Sequence, residues 1–473
     1  MMVALMRRAR FARALRSRRF ALLWSGQTIS AVGDGAFFTA MAWQVLLLTG
    51  SAAAMGATLI AQTVPLVLFM LVGGVVADRL PRRLTLLWSD AGRAVVTLVV
   101  AGLGLSGHLQ FWQLIALSAL FGLAEAFFRP AIQSIPPELV PVEDLPSANA
   151  LSSFTRSVTT LVGPAIGATL VSVASPAGAF AFDGLTFVIS AACLLLMGRV
   201  DGVPRPRAVP AVPRAPVPAE SELAPVSAGL LSGVQLDAPM PTYAGVAEDL
   251  PSATETLVKA ETAGAGRGLR GVIADIREGV SYITGSTWLW LTIALASLGN
   301  IALAPLQVTL PLLVRDSYHQ GVWLLGAILT AVSVGSIIAT LVIGQLRRVR
   351  HRGLVAYISL LVSGASMALF GLPIGAQSAP ALGMASGVLL GAGLGIFEII
   401  WATTMQELVP PEKLGRVSSV DWLGSLCLQP IGLALVGALS DSLGPALIFI
   451  IGGLFSVALT LFGLTSRSIR ALD

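Results

Sequence analysis

Glu138-Leu139-Val140-Pro141 is written a second time as Glu407-Leu408-Val409-Pro410. The first copy continues Val142-Glu143-Asp144-Leu145 and the second Pro411-Glu412-Lys413-Leu414. Each copy sits between two long apolar stretches. Pro164-Ala165-Ile166-Gly167 follows the first, and Pro430-Ile431-Gly432 follows the second at a similar distance. Four residues repeated in the same apolar–loop–apolar context mark an internal duplication. Duplicated halves with a site between them are characteristic of secondary transporters.

Composition names the solvent. The 473 residues are 55% hydrophobic and 12% charged, with mean hydropathy +0.82. A water-soluble chain carries about 25% charged residues, and no single soluble core hides this much apolar surface. The two cysteines, Cys193 and Cys427, lie in apolar stretches and form neither a disulfide framework nor zinc-ligand spacing. The N-terminus carries Arg7, Arg8, Arg10, Arg13, Arg16, Arg18 and Arg19. The apolar run that follows is too long for a cleaved signal and fits an uncleaved first span.

A span needs about 20 apolar residues. The pattern predicts spans over 20–48, 52–77, 84–106, 109–133, 147–174 and 177–198. Six more follow over 287–313, 320–346, 353–373, 380–406, 417–439 and 443–466. The expected fold class is therefore all-α integral membrane, twelve helices in two pseudo-symmetric six-helix bundles. With the N-terminus inside, inner loops hold Arg79, Arg82, Arg83, Arg347, Arg348, Arg350, Arg352, Lys413 and Arg416, and outer loops hold Arg315. This asymmetry places both termini in the cytoplasm. The expected organisation is a basic tail over 1–19, a first bundle over 20–198 and a Pro/Ala-rich linker over 199–270. An amphipathic interfacial helix over 271–285, a second bundle over 286–466 and a tail over 467–473 complete it.

The first inner loop reads Gly73-Gly74-Val75-Val76-Ala77-Asp78-Arg79-Leu80-Pro81-Arg82-Arg83. It resembles the signature loop of the major facilitator superfamily, with Pro81 where that family usually has Gly. Trp24-Ser25-Gly26-Gln27, Gly33-Asp34, Ser89-Asp90-Ala91-Gly92-Arg93 and Phe182-Asp183-Gly184 are similar to its branch of twelve-span drug–proton antiporters. That branch includes macrolide-efflux and enterobactin-exporter types. The resemblance implies that Gly74, Asp78, Arg79, Arg82 and Arg83 form a gating latch that joins the halves in the outward-facing state. The other reading of those arginines is a topology signal alone. Gly163, Pro164 and Gly167 resemble an exporter motif in span five, with Thr159 and Ala168 replacing two of its glycines. They read as a hinge, or as ordinary close packing.

Ionisable residues in mid-membrane are functional hypotheses by default. Asp34 lies roughly 21 Å along span one, on one stripe with Gln27 and Met41. It reads as a proton carrier, or as a local bend-holder between Gly33 and Gly35. Glu125 and Arg129 share a face of span four, and Glu125 with Arg129 or Arg156 reads as an ion pair. Aligned on the repeat, Arg129 matches Glu398. The resemblance implies that spans one, four, seven and ten line the central cavity. Its expected walls are Gln27, Asp34, Met41, Arg129, Asn300, Gln307, Glu398 and Trp401, with Trp401 available for cation–π contact. Proton coupling is expected at Asp34, Glu125 and Glu398. Asp90, Arg93, Asp183 and Asp421 read as lying near helix ends, where pairing or snorkelling accounts for them.

The sequence thus predicts a monomeric transporter of the bacterial inner membrane, not an enzyme. It would drive efflux of a small hydrophobic or amphipathic molecule with the proton gradient, in contact with membrane lipids, with no cofactor, metal or nucleic acid. Siderophore export and lysophospholipid transport are the alternatives within transport. A non-transporting sensor, hinted at by the linker, stands further off.

Overall fold

Ser17, Gly50 and Ser51 set the first hairpin. Ser17 Oγ accepts from the Phe20 N–H at 3.4 Å and starts α1 (Arg18–Thr49). Gly50 closes it with φ 64°, a left-handed turn open to glycine. Ser51 Oγ then accepts from the Ala54 N–H and starts α2 (Ala52–Arg79). At the other end Leu80 is extended (φ −102°, ψ 155°), as suits a residue before proline, and Pro81 leads into α3 (Arg82–Leu105). Pro81 in place of the family's Gly is thereby accommodated.

The computed structural model describes residues 12–198, 277, 279–346, 349–373, 375 and 377–472. The linker expected over 199–270 lies outside them, as do Arg347 and Arg348. Of the interfacial helix expected over 271–285, residues 279–284 are described and are helical. Among the described residues there is no strand, and ten helices are long and apolar enough to cross a membrane.

After α4 (Phe111–Ser134) the chain runs helically from Leu145 to Leu196, but Ser175 (φ 72°, ψ 167°) divides that stretch. Pro176 starts the second piece, giving α5 (145–174) and α6 (176–196). The second half holds α7 (Thr287–Val308), α8 (Val322–Gln345), α9 (Arg352–Phe370) and α10 (Ala379–Leu408). The span expected over 417–439 is two helices, α11 (Pro411–Cys427) and α12 (Gln429–Leu443). Pro430 causes the break, since it lacks the N–H and its ring crowds the carbonyl one turn back. The chain ends with α13 (Pro445–Thr465) and the short Arg467–Arg470 turn.

The packing repeats between halves. In the first, α1 and α3 pack on α5–α6, α2 on α4, and α3 on α4; in the second, α7 packs on α12 and α13, α8 on α10, and α9 on α10 and α13. The halves meet where α2 lies on α12 and α5 on α8. Large apolar side chains such as Leu68, Leu105, Val173 and Leu196 face outward, an exterior suited to lipid rather than water.

The repeated tetrapeptide has one structural purpose in both halves. Arg82, the first residue of α3, donates from Nη1 to Glu138 Oε1 and to the Ser134 carbonyl, each at 2.8 Å. Arg352, the first residue of α9, donates to Glu407 Oε2 at 2.5 Å. Val140 and Val409 are both 2% exposed. Each copy therefore ties the end of a fourth helix to the start of a third. The termini dock nearby: Arg13 pairs with Asp144 at 3.2 Å and Ser17 Oγ donates to the Leu139 carbonyl. Gly353 N–H donates to the Leu472 carbonyl.

Both pairs are partly exposed, so their worth is modest. In a double-mutant cycle on purified protein, Arg82→Ala and Glu138→Ala should show a coupling of about 0.5–1 kcal/mol. Unfolding in mild detergent reads it, and a coupling near zero would reduce the pair to a topology signal.

Candidate functional site: a cavity beside a buried charge network

A cavity of about 570 Å³ runs along α1 from Phe20 to Thr39. Its walls come from α1, α4, α5 and α8, and include Trp24, Gln27, Asp34, Phe38, Phe128, Thr155, Arg156, Leu329 and Ser333. Aromatic and aliphatic groups dominate, with a few polar side chains among them, the usual make-up of a small-molecule site. Gly35 of α1 and Gly163 of α5 make its tightest wall: a methyl group built on either would come within 2.7 Å of the other's Cα. Ser333 of α8 reaches across and donates to the Thr160 carbonyl of α5 at 2.7 Å.

Behind the α1 wall lies a charge network shut away from water. Asp90, Arg93 and Asp183 are 0%, 2% and 0% exposed. Arg93 Nη2 donates to Asp90 Oδ1 at 2.5 Å. Asp90 Oδ2 accepts from Ser190 Oγ at 2.7 Å and from Gln27 Nε2 at 3.2 Å. The Arg93 guanidinium lies over the rings of Phe128 and Phe187, at 4.1 and 4.3 Å from their centroids. Its Nη1 faces Asp34 Oδ2 at 3.9 Å. The Asp34 side chain keeps 28% of its surface exposed and lines the cavity. Asp34 is thus where the buried network meets the cavity.

This placement corrects the sequence reading. Asp90, Arg93 and Asp183 are the centre of the first half, not helix-end residues. The missed signals were the i,i+3 spacing of Asp90 and Arg93 and their depth counted along α3. Of the expected cavity residues, Gln27 and Asp34 line it. Met41 is 4% exposed and packed in the apolar core, beyond the cavity's end at Thr39. Arg129 donates to Glu125 from Nε and Nη2, at 2.9 and 2.6 Å, so the expected ion pair forms and its charge is used locally. The same helix offers Phe128 to the cavity instead.

The second-half candidates stand apart from this cavity, since α8 rather than α7 or α10 closes it. Trp401 Nε1 donates to Asp421 Oδ2 at 3.1 Å and its ring stacks on Phe397. Gln307 accepts from Gln429 at 3.4 Å. Glu398 is exposed, and Asn300 is half-buried on α7. Sequence reasoning considered Arg156 only as a partner for Glu125. It lies exposed on the cavity wall, with no ion pair among the described residues.

The expected latch is seen bonded inside the first half. Arg82 holds Glu138, and Arg83 donates to the Leu194 and Leu195 carbonyls at the end of α6. Arg79 is exposed, and the side chain of Asp78 lies outside the described set. Gly74 meets nothing within 4 Å; Gly73 makes the close approach, against Ala126 and Phe127 of α4. Pro164 and Gly167 lie in α5, helical on both sides of them, and Gly163 and Gly167 pack closely on α1. A methyl on Gly167 would meet the Ala36 backbone at 2.8 Å, and one on Gly326 would meet the Pro164 carbonyl at 2.8 Å.

The halves are fastened at the Gly50 end. Asp441, near the end of α12, accepts from Ser51 Oγ at 2.5 Å and from the Ala52 and Ala53 N–H groups at 2.7 and 3.2 Å. It caps the first turn of a helix in the opposite half. Arg315 Nη1 donates to the Leu46 carbonyl beside it.

The Major Facilitator Superfamily profile matches residues 23–426 and 289–471. Macrolide efflux protein A of Streptococcus pyogenes is 21% identical over 96% of this chain and 97% of that protein. The enterobactin exporter EntS of Shigella boydii is 24% identical over 90% of this chain and 86% of that protein. A crystal structure of a bacterial homologue of the iron transporter ferroportin, in an inward-facing state, shares the fold. Its TM-score is 0.62, at 16% identity over 95% of this chain and 99% of that one.

Removing one member of a buried pair strands the other. Arg93→Met should cost about 3–5 kcal/mol of stability, and Arg93→Met with Asp90→Asn should recover a large part of it. Thermal unfolding of the purified variants measures both; a single variant as stable as wild type would show that the network bears no structural weight.

Proposed function

The chain belongs to the Major Facilitator Superfamily, and from that premise we propose that it exports hydrophobic or amphipathic small molecules by proton-coupled alternating access. The cavity carries this reading: apolar walls fit the body of such a molecule, and Asp34 opens onto them while facing Arg93 at 3.9 Å. A carboxylate so placed can exchange a proton with the cavity and change its hold on a buried cation. The efflux direction is supported by the two exporters that align along nearly the whole chain.

The basic inner loops assign the start of α1 to the cytoplasm and both termini with it. The cavity begins at that end, with Phe20 and Leu23, and Asp441 fastens the other. This arrangement is inward-facing, in a bacterial inner membrane. The twelve-span count takes α5 and α6 as two spans and α11 with α12 as one broken span. The loop holding Gly74, Asp78, Arg79, Arg82 and Arg83 then acts in the opposite, outward-facing state. Glu125, tied to Arg129, and exposed Glu398 are secondary places for a proton. Arg156 favours a second reading of the cargo as a molecule with an acidic group, in the manner of a siderophore.

Asp34→Asn tests the reading in cells without other pumps. Accumulation of a panel of hydrophobic drugs is followed together with a cytosolic pH dye. Wild-type protein should lower accumulation and acidify the cytosol, and the variant should lose roughly tenfold or more in efflux rate, about 1.4 kcal/mol in barrier terms. Normal proton-coupled efflux in the variant would remove Asp34 from the mechanism. Arg156→Gln should raise the KM for acidic substrates and leave neutral ones unchanged, or the second reading falls.

A further inference from the structure

Asp183 is the buried acid of the network that makes no ion pair among the described residues. It is 0% exposed on α6, and neither carboxyl oxygen has a hydrogen-bond partner among the described residues. Its backbone carbonyl accepts from Thr186 Oγ1 at 2.7 Å, and that hydroxyl also lies beside the carboxyl. Its Oδ1 lies against Gly33 of α1, the neighbour of Asp34, where an added methyl would come within 2.5 Å of it. One turn further along α6, the Phe187 ring carries the Arg93 guanidinium. Arg93 itself is held by Asp90 at 2.5 Å, and its Nε is unpartnered.

The charges do not balance as ions. Arg93 pairs with Asp90 and faces Asp34, and Asp183 lies near it outside ion-pair distance, while Glu125 on α4 is matched by Arg129. An isolated ionised carboxylate sealed from water without donors costs several kcal/mol. A neutral carboxylic acid avoids that cost, and proximity to Arg93 gives it somewhere to turn when ionised.

We propose that Asp183 is a proton site, protonated in the state seen here. In the step it serves, the Asp183 O–H bond breaks and the proton joins the Asp34 carboxylate. Asp34 becomes the neutral acid and can release the proton to cavity water. The new Asp183 carboxylate then draws Arg93 from its position between Asp90 and Asp34. One proton moves and no net charge is created. Gly33 matters because its missing side chain lets the Asp183 carboxyl lie against α1, next in sequence to Asp34. This inference deepens the proton-coupled reading and rests on it for its purpose, but its test reads protonation without transport.

Infrared difference spectroscopy of the protein reconstituted in lipid vesicles, titrated with pH, reports the C=O stretch of protonated carboxylic acids. Wild type should show such a band at neutral pH. Asp34→Asn should keep it, Asp183→Asn should lose it, and Asp183→Glu should keep it at a shifted frequency. Asp183→Asn should also melt within a degree or two of wild type, since one neutral group replaces another. A wild type without the band, or a band that Asp183→Asn leaves undiminished, overturns the proposal. So does a large drop in melting temperature for Asp183→Asn that Asp183→Glu restores, because an ionised structural partner of Arg93 behaves that way. Failure of the Asp34 efflux test with the Asp183 band intact would leave the proton site standing and remove only its transport role.

Discussion

A guanidinium sealed from water must be given an anion and aromatic faces, and meeting that need for Arg93 fixes how the first half is built. Asp90 supplies the anion from the same helix, and Ser190 and Gln27 hold Asp90 in place. Phe128 and Phe187 supply the faces from α4 and α6. Four helices therefore converge on one side chain. Asp34 is left at the edge, with one side to the network and one to the cavity.

The duplicated halves keep the scaffold and part company at this point. Glu138 with Arg82 and Glu407 with Arg352 are equivalent ties at equivalent helix starts. Stepping along α3 and α9 from those arginines, Arg93 falls opposite Ser363. The Ser363 hydroxyl donates to the Ser359 and Leu390 carbonyls. A charge centre in one half thus faces a neutral helix contact in the other. The two bundles therefore share a scaffold and differ in where they bury charge.

Hairpins and spans were legible in the sequence because lipid imposes length and apolarity, and caps such as Ser17, Gly50 and Ser51 punctuate the chain. The duplication was legible because the tetrapeptide recurs letter for letter, although the ion pair each copy makes with a distant helix start was not. Side-chain partnerships across helices were not. Asp90 and Asp183 looked peripheral because their depth was judged each along its own span, and only the packing of α3 against α6 shows them at one level. Met41 and Trp401 were assigned to the cavity by helical stripe and fold analogy, but a stripe does not say which neighbour it meets. The break at Leu428 was readable from Pro430, and the unbroken apolar pattern around it concealed it. The entry of α8 into the cavity wall depends on Gly326 seating against Pro164, a contact between residues far apart in sequence.

The cap that Asp441 places on α2 has a consequence for how the protein can change over evolutionary time. Two of its three bonds go to peptide N–H groups of residues 52 and 53, which every amino acid but proline provides. The seal therefore constrains one carboxylate and the helical start of α2, and asks nothing of the exposed Ala53 side chain, whereas Ala52 is fully buried and fixed by core packing. Substitutions at position 53 can therefore change the rim without loosening the closure, so part of this loop can diverge while the seal holds.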